Sequence, residues 1–485
     1  MNIKMIIYML GRISFLEAIL LVLPLSCALI YKENTILAFL ITIGIALGLG
    51  AVCSLVGRTK DKAIFAREGF VIVALAWILM SAIGALPFYI SREIPHYYDA
   101  FFETVSGFTT TGASILTDVE AMSKGLLFWR SFSHWIGGMG VLVLVIAIIP
   151  TETGRTIHIM RAEMPGPIVD KLVPKVKSTA KILYLIYIVL TAVQVILLVV
   201  GGMPFFESLI HTFGTAGTGG FGVKADSIGG YSPYLQWVIA IFMLIFGINF
   251  NLYYLVLIKK VNSALKSEEL WWYISIVVVS AGIITANIYP IYKGFGESVR
   301  HAVFQVATII STTGFATVDF NLWPTLSKTI LFVLMFIGAC AGATAGGLKI
   351  SRVVVLFKTI RANLRHMLHP RSVDSISFEG KRLDKETCNN VTSYFAIYFI
   401  SFTIMFLLIS FEKFDLETNI SAVAACFNNI GPGLAGVGPA SNYSAYSPFS
   451  KMVLSYAMLL GRLEILPMIL LFSPSVWLRR KAKKK

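Results

Sequence analysis

Four short runs rich in glycine and threonine are the segments of this sequence best suited to bind an ion. They are residues 109–114, 217–222, 311–316 and 428–433. Backbone carbonyls in such runs can replace the hydration shell of a monovalent cation, and glycine tolerates the conformations that turn a carbonyl toward an axis. None of the four runs contains a carboxylate, so an acidic ring for divalent ions is not indicated. The runs predict a cation selectivity filter.

Aligning the runs on a shared glycine reveals an internal repeat. The glycine recurs about every hundred residues, a period that indicates an array of linked structural units. Each run follows a short helix-length stretch, and the C-terminal end of such a helix carries partial negative charge that favours cations. The predicted ligands are the residues at and just before each glycine: Thr110, Thr111, Gly112, Thr218, Gly219, Gly220, Thr312, Thr313, Gly314, Asn429, Ile430 and Gly431.

Long apolar segments flank these runs. Of the 485 residues, 56% are hydrophobic and only 14% are charged, against about 25% charged in a typical globular protein, which excludes a water-soluble protein. Ten segments are long enough to cross a bilayer as helices. They are residues 13–31, 36–57, 70–91, 131–150, 182–200, 234–258, 270–289, 329–348, 391–411 and 452–478.

The predicted fold is an all-α polytopic membrane protein. Four covalently linked helix–pore loop–helix repeats surround a pseudo-fourfold pore, and an N-terminal pair of spans is added to them. We divide the chain into an N-terminal two-helix addition (1–66), pore repeat 1 (67–150), pore repeat 2 (151–260), pore repeat 3 (261–370) and pore repeat 4 with a basic C-terminal tail (371–485).

The distribution of charge orients these spans. The net charge of +15 comes from Lys and Arg that cluster on one side of the membrane by roughly three to one, as the positive-inside rule requires. Both termini are therefore expected in the cytoplasm, and no nucleic-acid partner is expected. The five cysteines lack CxxC spacing, so no disulfide framework or structural metal site is indicated. Neither an HExxH pair nor a Walker loop occurs, so an enzyme is not expected.

The glycine-containing runs, together with one motif near the C-terminus, resemble the Trk-type potassium-uptake proteins of the Trk/Ktr/HKT cation transporter superfamily. The matching segments are residues 106–112, 217–221, 311–315, 428–433 and 460–464. The resemblance covers essentially the whole chain. The two spans before the first repeat point to the TrkH branch, because the Ktr branch typically has only the eight spans of the fourfold core.

The resemblance implies the rest of the mechanism. It implies K⁺ as the permeating ion at the filter residues, with no bound cofactor, and uptake across the bacterial cytoplasmic (inner) membrane. It also implies a homodimer with one pore in each protomer, gated by a cytoplasmic nucleotide-binding ring of TrkA type. HKT relatives with serine at the first filter position favour sodium, so Gly112 supports potassium.

A run of small residues in the eighth predicted span has two interpretations. Residues 338–347 are almost all glycine or alanine, with glycines at four-residue spacing, which could be a helix-packing face. Adjacent glycines alternatively favour a break in the helix. In the family, this segment resembles a flexible intramembrane loop that obstructs the pore, and we favour that gate. The predicted gate residues are Gly342, Ala343, Thr344, Ala345, Gly346, Gly347, Lys349 and Arg462.

Arg462 joins the gate because of its depth in the last predicted span. An arginine at a helix centre costs roughly 2.5–3.5 kcal/mol on insertion scales, so it usually faces water or a partner. One alternative is an ion pair with Glu464 or another buried carboxylate, although two positions do not share a helix face. The family resemblance implies an electrostatic barrier in the permeation path.

A proton- or sodium-coupled potassium symporter is the alternative function. Such transporters often combine inverted repeats with acids along the pathway, whereas these repeats are parallel and the acids lie mostly at helix ends. The membrane potential alone supplies about 2.3 kcal/mol per charge per 100 mV, enough to drive uncoupled uptake. We therefore favour a channel-like pore.

Overall fold

The computed structural model describes residues 1–59, 65–140, 176–371 and 375–477. Within these ranges, six helices are long and apolar enough to cross a membrane. They are Ile3–Tyr31, Ile36–Val56, Arg67–Ile90, Lys181–Val200, Glu268–Tyr292 and Lys385–Ile409. Their exposed faces carry large apolar side chains, as a lipid-facing surface requires. These helices confirm the predicted polytopic all-α fold.

The N-terminal addition is a pair of closely packed spans. Its first span consists of the helices Ile3–Leu20 and Val22–Tyr31, and its second is the helix Ile36–Val56. A Cβ atom added to Gly11 would lie 2.9 Å from the Gly50 carbonyl oxygen. Small residues therefore allow the two backbones to approach closely, as is common in membrane helix pairs.

The rest of the chain repeats one arrangement four times: a long first helix, a short helix, a loop and a second helix. The first helices are Ala66–Gly84 continued by Leu86–Ile90, Val176–Val200, Glu268–Tyr292 and Lys385–Ile409. Short helices 1 to 4 are Tyr97–Phe108, Phe205–Gly217, Phe295–Ile310 and Leu416–Phe427. Second helices 1 to 4 are Lys124–Gly138, Pro233–Phe246, Thr325–Met335 and Pro448–Arg462.

The predicted second spans are interrupted in all four repeats. The sequence favoured a break only in the third, so the prediction of a continuous span is wrong in the other three. Second helix 1 ends at Gly138, and the rest of predicted span 131–150 from residue 141 lies outside the described residues. Second helix 2 bends by 90° before the helix Phe250–Leu257. Second helix 3 ends at Met335, and the predicted span 329–348 finishes as a loop.

Second helix 4 also stops early, at Arg462, before the short helix Leu466–Leu471. All four breaks have a glycine within three residues, at Gly140, Gly247, Gly338 and Gly461, and glycine weakens a helix interior. Hydropathy reports how apolar a segment is and carries no information on whether its helix is continuous. Only the small-residue run of residues 338–347 indicated a break.

Smaller elements complete the fold. On the side of the breaks, the helix Ile350–Leu368 is followed by an antiparallel hairpin of strands Ser377–Phe378 and Lys381–Arg382. The remaining short elements are the helices Val261–Leu265 and Pro474–Trp477 and the 3₁₀ turns Phe320–Leu322 and Ala435–Val437.

Carboxylates from distant segments cap second helix 1. The Glu33 carboxylate accepts hydrogen bonds from the backbone N–H groups of Lys124 (2.6 Å) and Gly125 (2.9 Å), and Glu93 accepts from that of Ser123 (3.0 Å). These bonds satisfy N–H groups that have no partner within the helix. Glu33 thereby ties the N-terminal addition to the first repeat.

Replacing Glu33 should loosen this attachment. We expect Glu33→Ala to lower the free energy of unfolding by about 1 kcal/mol, the typical effect of losing a helix cap. The change would be measured as a lower thermal unfolding midpoint of the detergent-solubilised protein. Glu386→Ala, at an exposed carboxylate near another helix start, is the control, and an equal shift in both variants would contradict the capping role.

Candidate cation-binding site

The four loops that follow the short helices meet in a closed ring. The shared glycine of each loop has a left-handed backbone conformation: φ is +80° at Gly112, +76° at Gly220, +87° at Gly314 and +98° at Gly431. A Cβ atom on any of them would crowd a backbone carbonyl of a neighbouring loop. The crowded carbonyls belong, in the same order, to Gly219, Thr313, Ile430 and Thr111. Loops 1, 2, 3 and 4 therefore follow one another around a single axis.

The residue two positions before each glycine has the same unusual backbone. Its φ is 56° at Thr110, 58° at Thr218, 56° at Thr312 and 56° at Asn429. A positive φ is uncommon for a residue with a side chain, and such strain persists only where the surroundings impose it. Four occurrences at equivalent positions show that the loops share one backbone conformation despite different sequences.

The residue between these two positions supplies a carbonyl to the ring. Its N–H group donates back to the preceding short helix in all four loops. These bonds join Thr111 to Ser106 (2.9 Å), Gly219 to Gly214 (2.8 Å), Thr313 to Thr308 (2.8 Å) and Ile430 to Ala425 (2.8 Å). Within the described part of the chain, the carbonyls of these four residues accept no hydrogen bond. They form a set of free oxygen atoms at equivalent positions.

The short helices direct their negative ends toward this ring. Each carries an acidic residue in its first turn and ends at a loop. The four acids are Asp99, Glu207, Glu297 and Glu417. A carboxylate at the N-terminus compensates the positive end of the helix dipole. The uncompensated C-terminal ends therefore add negative potential where the loops meet.

The ring separates two cavities. One is lined by Gly112, Gly220, Gly314 and Gly431. The other lies beyond the loops, on the side of the helix breaks, and is lined by residues that include Gly138, Gly346, Lys349 and Arg462. In the ranges that the structure describes, no group of three or more His, Cys, Asp or Glu side chains could hold a metal ion. Oxygen atoms of the loops are the available ligands for a cation.

Residues 338–349 form a loop beside the second cavity. Hydrogen bonds from Gly338 N–H to the Leu348 carbonyl (2.6 Å) and from Ile350 N–H to the Ala339 carbonyl (3.3 Å) close its base. Its backbone is not helical, with φ of +75° at Gly342. The helix-packing interpretation of this segment is therefore wrong. Its role as a gate stays a prediction.

This loop, which we call the inner loop, contacts loops 3 and 4 directly. The Gly346 N–H group donates to the Thr312 hydroxyl at 2.7 Å. A Cβ atom on Gly346 would lie 2.8 Å from the Asn428 carbonyl oxygen. Of the other predicted gate residues, Ala343, Ala345 and Gly347 also line the second cavity, and the Lys349 ammonium donates to the Ala345 carbonyl. The inner loop thus lies against loops 3 and 4.

A buried carboxylate that the sequence did not single out holds the inner loop. One oxygen of Glu269 accepts hydrogen bonds from the N–H groups of Ala341 (2.8 Å), within the small-residue run, and Ser351 (3.0 Å), just after the inner loop. Glu268 and Glu269 begin a long apolar helix, which is an ordinary place for acids. Nothing in the sequence distinguishes Glu269 from a helix-dipole partner.

Arg462 joins three separate parts of the site. Its guanidinium donates to the Thr344 carbonyl of the inner loop (2.6 Å) and to the Gly137 and Gly138 carbonyls at the end of second helix 1 (2.9 Å for Gly138). It also lies 3.4 Å from the Thr110 hydroxyl. The guanidinium is therefore located directly beneath loop 1.

Glu464 pairs with Arg352 and not with Arg462, the partner considered from the sequence. Its carboxylate forms an ion pair with Arg352, whose guanidinium also lies 4.0 Å from the centre of the Tyr394 ring. The alternative ion pair between Arg462 and Glu464 is absent from the salt bridges of the described residues. Arg462 is instead satisfied by carbonyl oxygens at the helix break and in the inner loop.

Known proteins share this architecture over the full length of the chain. The family model described as "TrkH: Cation transport protein" matches residues 35–271 and 271–479. The Trk system potassium uptake protein TrkH of Salmonella typhimurium is 36% identical over 98% of this chain and 100% of its own length. The corresponding Escherichia coli K12 protein is 35% identical with the same coverage.

A solved structure agrees with these sequence relationships. The crystal structure of the potassium transporter TrkH from Vibrio parahaemolyticus superimposes with a TM-score of 0.88 at 31% identity. The match covers 99% of this chain and 100% of the other. The chain belongs to the TrkH family of cation transport proteins.

Proposed function

We propose that this protein takes up potassium through a pore whose selectivity filter is the ring of loops 1 to 4. The observation that carries the proposal is the set of four free carbonyls at Thr111, Gly219, Thr313 and Ile430. A free carbonyl at membrane depth is tolerated only where it meets water or an ion. Inward-facing carbonyls can replace the water shell of K⁺. The two relatives described above are potassium uptake proteins, which supports the choice of ion.

The predicted ligands comprise this ring and its neighbours. Backbone oxygens of Thr110, Thr218, Thr312 and Asn429, with the hydroxyls of the three threonines, extend the ring along the axis. Gly112, Gly220, Gly314 and Gly431 line the cavity on the outer side. The negative ends of the four short helices make the site favourable for a cation. Both termini are assigned to the cytoplasmic side of a bacterial inner membrane.

The inner loop and Arg462 together form the gate in this proposal. The loop lies under loops 3 and 4 through its Gly346–Thr312 contact. Arg462 places a charge that is permanent at any physiological pH beneath loop 1. The chain acts as a homodimer, and a cytoplasmic nucleotide-binding ring of TrkA type displaces the inner loop. The free cytoplasmic face of helix Ile350–Leu368, which directly follows the inner loop, supports such a connection because several of its side chains are exposed.

Flux measurements on the purified protein test the function. Proteoliposomes with a potassium gradient and equal pH inside and outside should take up ⁸⁶Rb⁺, because the potential alone drives a channel-like pore. Uptake that appears only when a proton or sodium gradient is imposed would favour the symporter instead. Uptake that does not distinguish potassium from choline or sodium would overturn the filter.

A side chain at Gly112 should damage selectivity. We expect Gly112→Ser to lower the preference for potassium over sodium by roughly tenfold, since the new Cβ crowds the Gly219 carbonyl and strains a left-handed residue by about 1–3 kcal/mol. Competition of K⁺ and Na⁺ against ⁸⁶Rb⁺ uptake measures the change. Gly202→Ser is the matched control, because Gly202 has φ +88° with open space around it. Equal effects in the two variants would contradict the filter assignment.

Shortening the inner loop should open the pore. Deleting residues 343–345 removes the segment beside the second cavity, so basal ⁸⁶Rb⁺ flux should rise several-fold in the absence of any cytoplasmic partner. Thermal unfolding of the same sample verifies that the shortened protein is folded. A folded variant whose basal flux equals that of the wild type would show that the inner loop is no obstruction.

Removing the Arg462 charge with Arg462→Ala should raise potassium flux without altering selectivity. A loss of about 1.4 kcal/mol of electrostatic barrier corresponds to roughly a tenfold increase. Arg352→Ala is the contrasting variant, because it leaves the Glu464 carboxylate without its cation and should reduce the yield of folded protein. The barrier role of Arg462 is wrong if Arg462→Ala is produced at normal yield with unchanged or lower uptake.

A further inference from the structure

The junction between loops 1 and 2 includes a buried ion pair that contacts the residues directly after both loops. Loops 2 and 3 are joined by a backbone bond from Ile228 N–H to the Ala316 carbonyl (2.9 Å), and the Asn321 side chain links loop 3 to the chain after loop 4. Loops 4 and 1 are joined by a bond from Tyr443 N–H to the Ser114 carbonyl (2.8 Å). Between loops 1 and 2, the Ala225 N–H donates to the Glu120 carboxylate (3.3 Å), and a buried ion pair adds a second connection.

Glu103 is the acidic member of this pair. Glu103 belongs to short helix 1 and is only 1% exposed. Its carboxylate accepts from the Arg130 Nε (2.5 Å), the Ser114 hydroxyl (3.0 Å) and the Ile115 N–H (3.0 Å). Ser114 and Ile115 come directly after the loop 1 core. The carboxylate therefore fixes the outer end of loop 1.

Arg130 extends the connection to loop 2. This residue of second helix 1 is 4% exposed. Its Nη1 donates to the Gly222 carbonyl (3.3 Å), and its guanidinium carbon lies 3.5 Å from the centre of the Phe221 ring. Phe221 and Gly222 come directly after Gly220. One guanidinium thus holds the side chain and the backbone that follow loop 2.

His134 supports the same contact from one helical turn further along. Positions four apart share a helix face, so His134 and Arg130 both reach Phe221. The His134 ring centre lies 4.2 Å from that of the Phe221 ring. One ring nitrogen of His134 accepts a hydrogen bond from the backbone N–H of Phe221 at 3.3 Å. The other ring nitrogen donates to the Gly107 carbonyl of short helix 1 (2.7 Å). Phe221 is held between two side chains of one helix.

We propose that the Arg130–Glu103 ion pair is a positioning element that sets the separation of loops 1 and 2 and thereby the filter's preference for potassium over sodium. The inference rests on the proposed filter function. A ring of carbonyls that resists closing around the smaller sodium ion discriminates against it. Guanidinium and carboxylate meet with rigid, directional hydrogen bonds, so this pair resists movement of both loops. Neither side chain contacts the ion.

The charge of Arg130 is compatible with this position. Arg130 lines the cavity on the outer side of the ring, where an uncompensated guanidinium would repel entering cations. The Glu103 carboxylate at 2.5 Å compensates it. The pair therefore contributes rigidity at the filter without adding net positive charge to the entrance.

Three substitutions test the pair in the full-length protein. The measurement is ⁸⁶Rb⁺ uptake into proteoliposomes, with K⁺ or Na⁺ as the competitor. Arg130→Gln and Glu103→Gln should each lower the ratio of Na⁺ to K⁺ inhibitory concentrations by roughly tenfold, equivalent to about 1.4 kcal/mol. Arg130→Lys should give an intermediate ratio, because an ammonium keeps the attraction to Glu103 but lacks the planar fork of donors.

Lys451→Gln is the matched control. Lys451 also forms a buried ion pair, with Asp99 at 2.6 Å, and it also connects a second helix to short helix 1. That pair reaches the first turn of the short helix and does not reach a loop. The ratio should therefore equal the wild-type value. A decrease as large as in the Arg130 variants would show that any loss of a buried ion pair loosens the protein, and would overturn the proposal.

The outcomes separate this inference from the function on which it rests. Wild-type protein without potassium-preferring uptake overturns the proposed function and the positioning role together. A wild-type preference that is unchanged in the folded Arg130 and Glu103 variants overturns the positioning role alone. If the Arg130 variants do not fold, Glu103→Gln and Phe221→Leu are measured in their place. A wild-type ratio in both of these variants also overturns the proposal.

Discussion

Free backbone carbonyls deep within a membrane protein are the constraint on which the rest of this structure depends. Such a group costs several kcal/mol unless water or an ion meets it. In each loop, the preceding short helix accepts the N–H group of the ring residue, while the carbonyl of that residue is left free. The short helices are therefore more than supports. They accept the donors that would otherwise compete for the ring oxygens.

The same constraint explains the breaks in the second helices. A continuous helix would pass the ring with all of its carbonyls bonded internally. Ending at Gly138 leaves carbonyls that accept from Arg462, and ending at Met335 makes room for the inner loop. The charge of Arg462 is thus satisfied by broken backbone, while the nearby Glu464 serves Arg352. Backbone carbonyls on two sides therefore hold the Arg462 guanidinium beneath the ring.

The sequence could predict the ring more fully than the structure beneath it. The glycine register was readable because a left-handed backbone position strongly favours glycine, and four copies at one period reinforce each other. Adjacent glycines indicated the break in residues 338–347. The other helix breaks could not be predicted, because apolar composition is the same in a broken and a continuous span. Glu269 and the Arg130–Glu103 pair were missed for another reason. Their partners are backbone groups or residues brought together only by folding.

The hydrogen bonds that brace the loops against their short helices show why a ring of this kind tolerates variation in sequence. The residue three positions before the ring glycine donates to the carbonyl four residues back in three repeats, from a different side chain each time. The bonds are Thr109 to Val105 (2.7 Å), Ser311 to Ala307 (2.6 Å) and Asn428 to Ala424 (2.9 Å).

In the second repeat, the equivalent position is Gly217, where a Cβ atom would crowd the His134 carbonyl. Close packing of second helix 1 therefore excludes any side chain at that point. His134 also accepts the N–H of Phe221 at the other end of loop 2. Loop 2 is thus held by its neighbour's helix where the other loops are held by their own side chains. The loop backbone is common to all four repeats, and only the means of bracing it differs.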